Sequence, residues 1–168
     1  MAKNKEPALG SRLVIGAIAG FVATMAMTAA MRRLHKQLPE KERYPLTPRE
    51  ITDAVLDPPS PISPDITLVA HFAYGAGCGA LIAAADPRIG RVSGAFAGGA
   101  VWLTSYMGWI PALDVLKSAT GHPMRRNAVM LAAHLAWGWS TAEGIRELTE
   151  ARATIFADGP HKDVPDAA

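Results

Sequence analysis

Four stretches of the chain contain no Asp, Glu, Lys or Arg: residues 13–31, 66–85, 92–113 and 127–142. The helices of a water-soluble domain place charge on their wet face every turn or two, and these stretches do not. A helix rising 1.5 Å per residue needs about 20 apolar residues to cross a hydrocarbon layer of about 30 Å. Three stretches meet that length, and the fourth reaches it by continuing through Gly144 and Ile145 past a lone Glu143. The pattern predicts an all-α, polytopic membrane four-helix bundle, with spans at about 13–31, 66–85, 92–111 and 127–145 and both termini on one side of the bilayer.

The remaining segments fill in that plan. Residues 1–11 read as a polar tail, and 12–145 as the membrane domain. Residues 146–168 read as an amphipathic helical tail, with Ile145, Leu148, Arg152, Ile155 and Phe156 at helical spacing, followed by a disordered end. Lys3, Lys5 and Arg12 ahead of an apolar run also fit a secretory signal, but the length of the run and the following Arg32 and Arg33 favour a retained span. Thr47-Pro48-Arg49-Glu50 reads as a capping box that opens a short interfacial helix over about 48–56, stopped by Asp57-Pro58-Pro59. Asp86-Pro87 marks a tight turn between spans two and three, and residues 112–121 can make a further interfacial turn.

Small residues recur at membrane-packing spacing. Gly16, Gly20, Thr24 and Thr28 form one ladder, and Gly75/Gly79 and Gly94/Gly98 form GxxxG pairs. Gly16-Ala17-Ile18-Ala19-Gly20 matches Gly94-Ala95-Phe96-Ala97-Gly98, and His71-Phe72-Ala73-Tyr74-Gly75 matches His134-Leu135-Ala136-Trp137-Gly138, in the same order. This is the pattern of a duplicated helical hairpin, with two tandem copies related by a pseudo-two-fold axis along the membrane normal. Spans one and three are expected to meet near the bundle centre through Gly16/Gly20 and Gly94/Gly98. His71 and His134 are expected at one depth, roughly 8–10 Å below one surface, facing each other.

Mean composition adds limits. The net charge of +2, from 17 basic and 15 acidic residues, gives no reason to expect a nucleic-acid partner. The Arg pairs read as membrane-edge anchors. Basic residues divide almost evenly between the two faces, so charge does not orient the chain. The single Cys78 cannot close an intrachain disulfide and reads as a small packing residue.

The sequence resembles the YagU-like family of small bacterial inner-membrane proteins. The likeness rests on residues 16–27, Thr47-Pro48-Arg49-Glu50-Ile51, 71–79, 105–111 and 123–138, and covers most of 13–139. It implies a multi-pass helical protein of the bacterial inner (cytoplasmic) membrane and brings no catalytic residue with it.

The chemistry-bearing residues are few. Walker, HExxH and CxxC motifs are missing from the sequence, and Thr104, Ser105 and Thr141 have no base paired with them in sequence. Hydroxyls in membrane helices bond back to the i−4 carbonyl, so no catalytic residue is assigned. No carboxylate lies in the charge-free stretches to complete a metal site with the two histidines and Cys78. An ionisable side chain within a membrane helix is a candidate site by default. The candidate set is therefore His71, His134, Tyr74, Trp137, Arg125 and Arg126.

The first reading is a non-catalytic structural or accessory subunit, with lipid and other membrane subunits, or a second copy, as partners. Two alternatives stay open. In one, the pair of imidazoles ligates haem b, with Gly75 and Gly138 leaving space for the macrocycle and Arg125 and Arg126 meeting its propionates, or a quinone-like ligand sits there. In the other the site serves a proton relay or small-solute transport. Tyr106 and Trp109 read as an aromatic belt, and Trp102, Trp137 and Trp139 as deeper packing or stacking groups.

Overall fold

The computed structural model describes residues 7–159 and is helical throughout, with no strand among them. The Lys3 and Lys5 tail and most of the expected disordered end lie outside the described residues. Helix α1 is Leu9–His35, α2 is Thr47–Val55, α3 is Ser63–Ala85 and α4 is Arg91–Thr104. A π turn at Ser105–Trp109 joins α4 to the short α5, Ile110–Ala112, and α6 is Met124–Ala153. α1 and α3 are each long and apolar enough to cross a membrane. Their outward residues are bare hydrocarbon: Val14, Phe21, Met25, Val69 and Leu81 are all exposed.

The helix boundaries follow local chemistry. Pro48 and Pro64 sit in the first turns of α2 and α3, where a missing N–H costs nothing. Asp86-Pro87 ends α3, and Gly90 precedes α4. Within the helices, Thr24 donates to the Gly20 carbonyl and Thr28 to that of Thr24, while Thr67, Thr104 and Ser105 each reach back one turn in the same way. These five hydroxyls are thereby satisfied without water. α6 ends at Ala153, so Ile155 and Phe156 lie beyond the helix and exposed rather than on an amphipathic helical tail.

The helices pack in the order α3, α1, α6, α4, with α1 against both α3 and α6 and α4 against α6. α1 and α4 do not meet through their glycines. Gly16 and Gly20 lie against Gly75 and Gly79 of α3, and Gly94 and Gly98 lie against Gly138, Ala142 and the His134 carbonyl of α6. A Cβ at Gly20 would overlap the Gly75 carbonyl oxygen, and one at Gly98 the His134 carbonyl oxygen. The two contacts use equivalent positions of the sequence repeat, so each hairpin is closed by its own glycine seam.

The core falls into three clusters. Ala23, Met27, Met31, Met130, Ala133 and Trp137 form one, Tyr106, Ile110 and Ala119 a second, and Ile15, Ala19, Ala83 and Ile145 the third. Beside this third cluster, Arg91 donates to both Glu143 oxygens at 2.5 and 2.7 Å, and Arg146 donates to Glu143 and Glu147 at 2.6 Å.

Candidate functional site

Between α3 and α4, which scarcely touch, lies a half-open cavity of about 230 Å³. α1 and α6 form its back with Thr24, Met27, Met130, His134 and Trp137. α2 forms its roof with Thr47, Pro48, Ile51 and Thr52. No Asp, Glu, Lys or Arg lines it.

One wall runs through a π turn, whose i→i+5 bond goes from the Ile110 N–H to the Ser105 carbonyl. Trp102, Ser105, Tyr106, Trp109 and Ile110 follow the i, i+3, i+4, i+7, i+8 spacing of one helix face and line the cavity. Tyr106 is only 2% exposed, so it belongs to the interior and not to an aromatic belt, whereas Trp109, 40% exposed, stands at the mouth. Trp139 is on the outer surface, away from the cavity.

Four of the six residues singled out in the sequence meet here: His71, Tyr74, His134 and Trp137. Both imidazoles line the same cavity, one from α3 and one from α6. His134 Nδ1 bonds to the Met130 carbonyl at 2.8 Å, while His71 Nε2 is buried with no partner among the protein's groups. The Tyr74 hydroxyl bonds to Ser105 Oγ at 2.8 Å and is the strap across the α3/α4 cleft. Trp137 Nε1 donates to both the Gly20 carbonyl and Thr24 Oγ1 at 3.2 Å. Cys78 also lines the cavity.

Arg125 and Arg126 are elsewhere. Arg125 is exposed and off the cavity. Arg126 is 0% exposed and is no membrane-edge anchor. Its guanidinium donates to the Tyr44 carbonyl at 2.9 Å, to the Pro45 carbonyl, and to Glu50 Oε2 at 2.9 Å, and it stacks 3.7 Å above the Tyr44 ring. The Glu50 carboxylate therefore pairs with a desolvated cation and does not complete a capping box on α2. The clamp pins α2 over the cavity. His35 Nε2 and His122 Nδ1 add bonds to the Tyr44 carbonyl and hydroxyl at 2.9 and 3.0 Å.

The haem reading does not fit this arrangement. Gly75 and Gly138 give no space to a macrocycle, since Thr24 and Gly94 fill the positions their Cβ atoms would take. Neither arginine reaches the cavity to meet a propionate. The described residues hold no cluster of three His, Cys, Asp or Glu side chains suited to a metal ion.

Sequence reasoning missed Thr47, Ser105 and Tyr106 as cavity residues. A signal existed only for the last two, which continue the helix face of Trp102 and Trp109 at i+3 and i+4 spacing. No family model, curated protein or solved structure matches this chain.

Proposed function

We propose that the chain is a four-span membrane protein, with α1, α3, the continuous helix over 91–112 and α6 crossing the bilayer, whose α3/α4 cleft holds a small lipid-soluble ligand. Its role is binding rather than catalysis, as a membrane-embedded accessory protein. The single observation carrying this reading is the uncharged cavity of about 230 Å³ between the two least-packed helices. Membrane bundles close their helices on small residues, and the other neighbouring pairs here do so. Most of the cavity's Thr and Ser hydroxyls fold back onto helix carbonyls, so its surface is largely hydrocarbon and ring and takes apolar molecules in preference to water. Its volume falls just below the roughly 300–1,000 Å³ of drug-sized sites, which suits a small ring compound or a headgroup.

Four spans are supported by length, since 22 helical residues at 1.5 Å reach about 33 Å. Charges on α6 lie towards its ends, at Arg125, Arg126 and Glu143 onward. The test uses protein reconstituted in lipid nanodiscs and a neutral fluorescent hydrocarbon, N-phenyl-1-naphthylamine. The expected result is saturable binding at one site per chain, with impermeant reagents labelling both terminal tags from the same side in vesicles. Tags on opposite sides, or uptake equal to that of empty nanodiscs, contradict the reading.

A further inference from the structure

The rings around the cavity carry more information than its size. Three of the chain's four tryptophans (Trp102, Trp109 and Trp137), two of its three tyrosines (Tyr74 and Tyr106) and both paired histidines line it, yet none of its four phenylalanines does. Phe21, Phe96 and Phe156 lie exposed on outer surfaces. An acyl chain needs only apolar walls, for which Phe and Leu serve. A wall made of rings that each bear a polar edge is suited to a flat ligand that also carries polar atoms.

The hydrogen-bond inventory sharpens this. Tyr74, Trp137 and His134 have partners, but Trp102 Nε1, His71 Nε2 and the Tyr106 hydroxyl are buried without one. The Tyr106 hydroxyl lies beside Thr47 Oγ1 and Arg126, which satisfy it with a small shift, so the unmet demand falls on Trp102 Nε1 and His71 Nε2. Indole N–H can only donate, so at least one of these groups calls for an acceptor oxygen. Unpaired buried polar groups are costly and mark a site that a ligand completes. A charged headgroup is excluded by the lining, which offers no counter-ion in a low-dielectric setting.

We infer that the ligand is a neutral, ring-headed amphiphile with carbonyl-type acceptor oxygens, of the quinone class, its ring among Trp102, Tyr106 and His71 and its tail leaving by the lateral mouth past Tyr74 and Trp109. The inference rests on the lipid-soluble-ligand reading above and concerns binding alone.

The test is displacement of N-phenyl-1-naphthylamine from the nanodisc protein by three probes with the same alkyl tail: a benzoquinone, a benzene and a carboxylate anion. The benzoquinone is expected to displace at least tenfold better than either of the others. Trp102→Phe and His71→Leu, whose folding is checked by thermal melting, should each weaken it about five- to tenfold, as loss of one hydrogen bond does, while leaving the alkylbenzene unchanged. If the naphthylamine binds but the alkylbenzene or the anion matches the quinone, or both variants bind it normally, the quinone class is wrong and the cavity reading stands. If the naphthylamine itself does not bind, both fail.

Discussion

The α1/α6 and α3/α4 seams are counterparts in the sequence repeat and differ in one respect that decides the site. On α1, Thr24 is small and folds its hydroxyl onto the Gly20 carbonyl, which leaves room for Trp137 of α6 to bury and donate to both. On α4, the residue four after Gly98 is Trp102, where Thr24 follows Gly20 by four. Trp102 lines the cavity and packs edge-on to Tyr106, their centroids 6.2 Å apart. Tyr74, the counterpart of Trp137, bonds to Ser105 just past the end of α4 and remains 43% exposed while Trp137 is 2% exposed. One seam is closed and the other stands apart over a cavity, and the two, which carry matching sequence strings, differ by Thr against Trp at that point.

The largest effect is expected at the roof that both seams share. Arg126→Ala leaves Glu50 and two carbonyls facing a buried void, and should destabilise the protein by about 3 kcal/mol or more in reversible SDS unfolding. Arg126→Lys should recover little, since an ammonium cannot serve three acceptors and the Tyr44 ring together.

Overpacking the closed glycine contacts comes next. Gly98→Ala and Gly20→Ala should each cost about 2 kcal/mol, because a backbone carbonyl stands where the methyl would go. Gly77→Ala on α3, with open space around it, should be neutral or gain up to about 1 kcal/mol in the same assay from helix propensity.

Exchanging the seams tests the cause directly. The double variant Trp102→Thr with Tyr74→Trp gives α3/α4 the residues of α1/α6, and should lose about tenfold in naphthylamine affinity, about 1.4 kcal/mol, as the cleft closes. Unchanged affinity would mean that the Thr/Trp difference is incidental.

The smallest effects compare the two ring hydrogen bonds. Trp137→Phe should cost about 1 kcal/mol and Tyr74→Phe about 0.5 kcal/mol or less, since the first bond is buried and the second half-exposed. The reverse order in SDS unfolding would contradict the contrast between closed and open seams.

Much of the helical plan was legible because charge is segregated along the chain, and the likeness of α3 to α6 was legible because the string His-x-Ala-aromatic-Gly occurs in both. That His71 and His134 share one cavity followed from the repeat. Which glycine face meets which did not follow, since a small stripe on every helix makes several pairings equally feasible. The burial of Arg126 was hidden for a different reason: it depends on residues 44–50 folding back over α6, and a cation beside a span otherwise reads as an anchor. Tyr106 lies in the interior and not the belt because His122 stacks on its ring and Ile51 and Ala119 pack around it, and the spacing within the helix says nothing about where those segments fold.

The most direct measurement of the central claim uses the single native cysteine. Cys78 lines the cavity, which opens sideways between α3 and α4. In reconstituted vesicles, N-ethylmaleimide, which is neutral and membrane-soluble, should label Cys78 in the folded protein, whereas a sulfonated maleimide should label it only after unfolding. Prior loading with an alkyl benzoquinone whose other ring positions are all methylated, so that the thiol does not add to it, should slow the first reaction. Equal labelling by both reagents would mean a cavity open to water, and labelling by neither would mean that the α3/α4 seam is as closed as α1/α6.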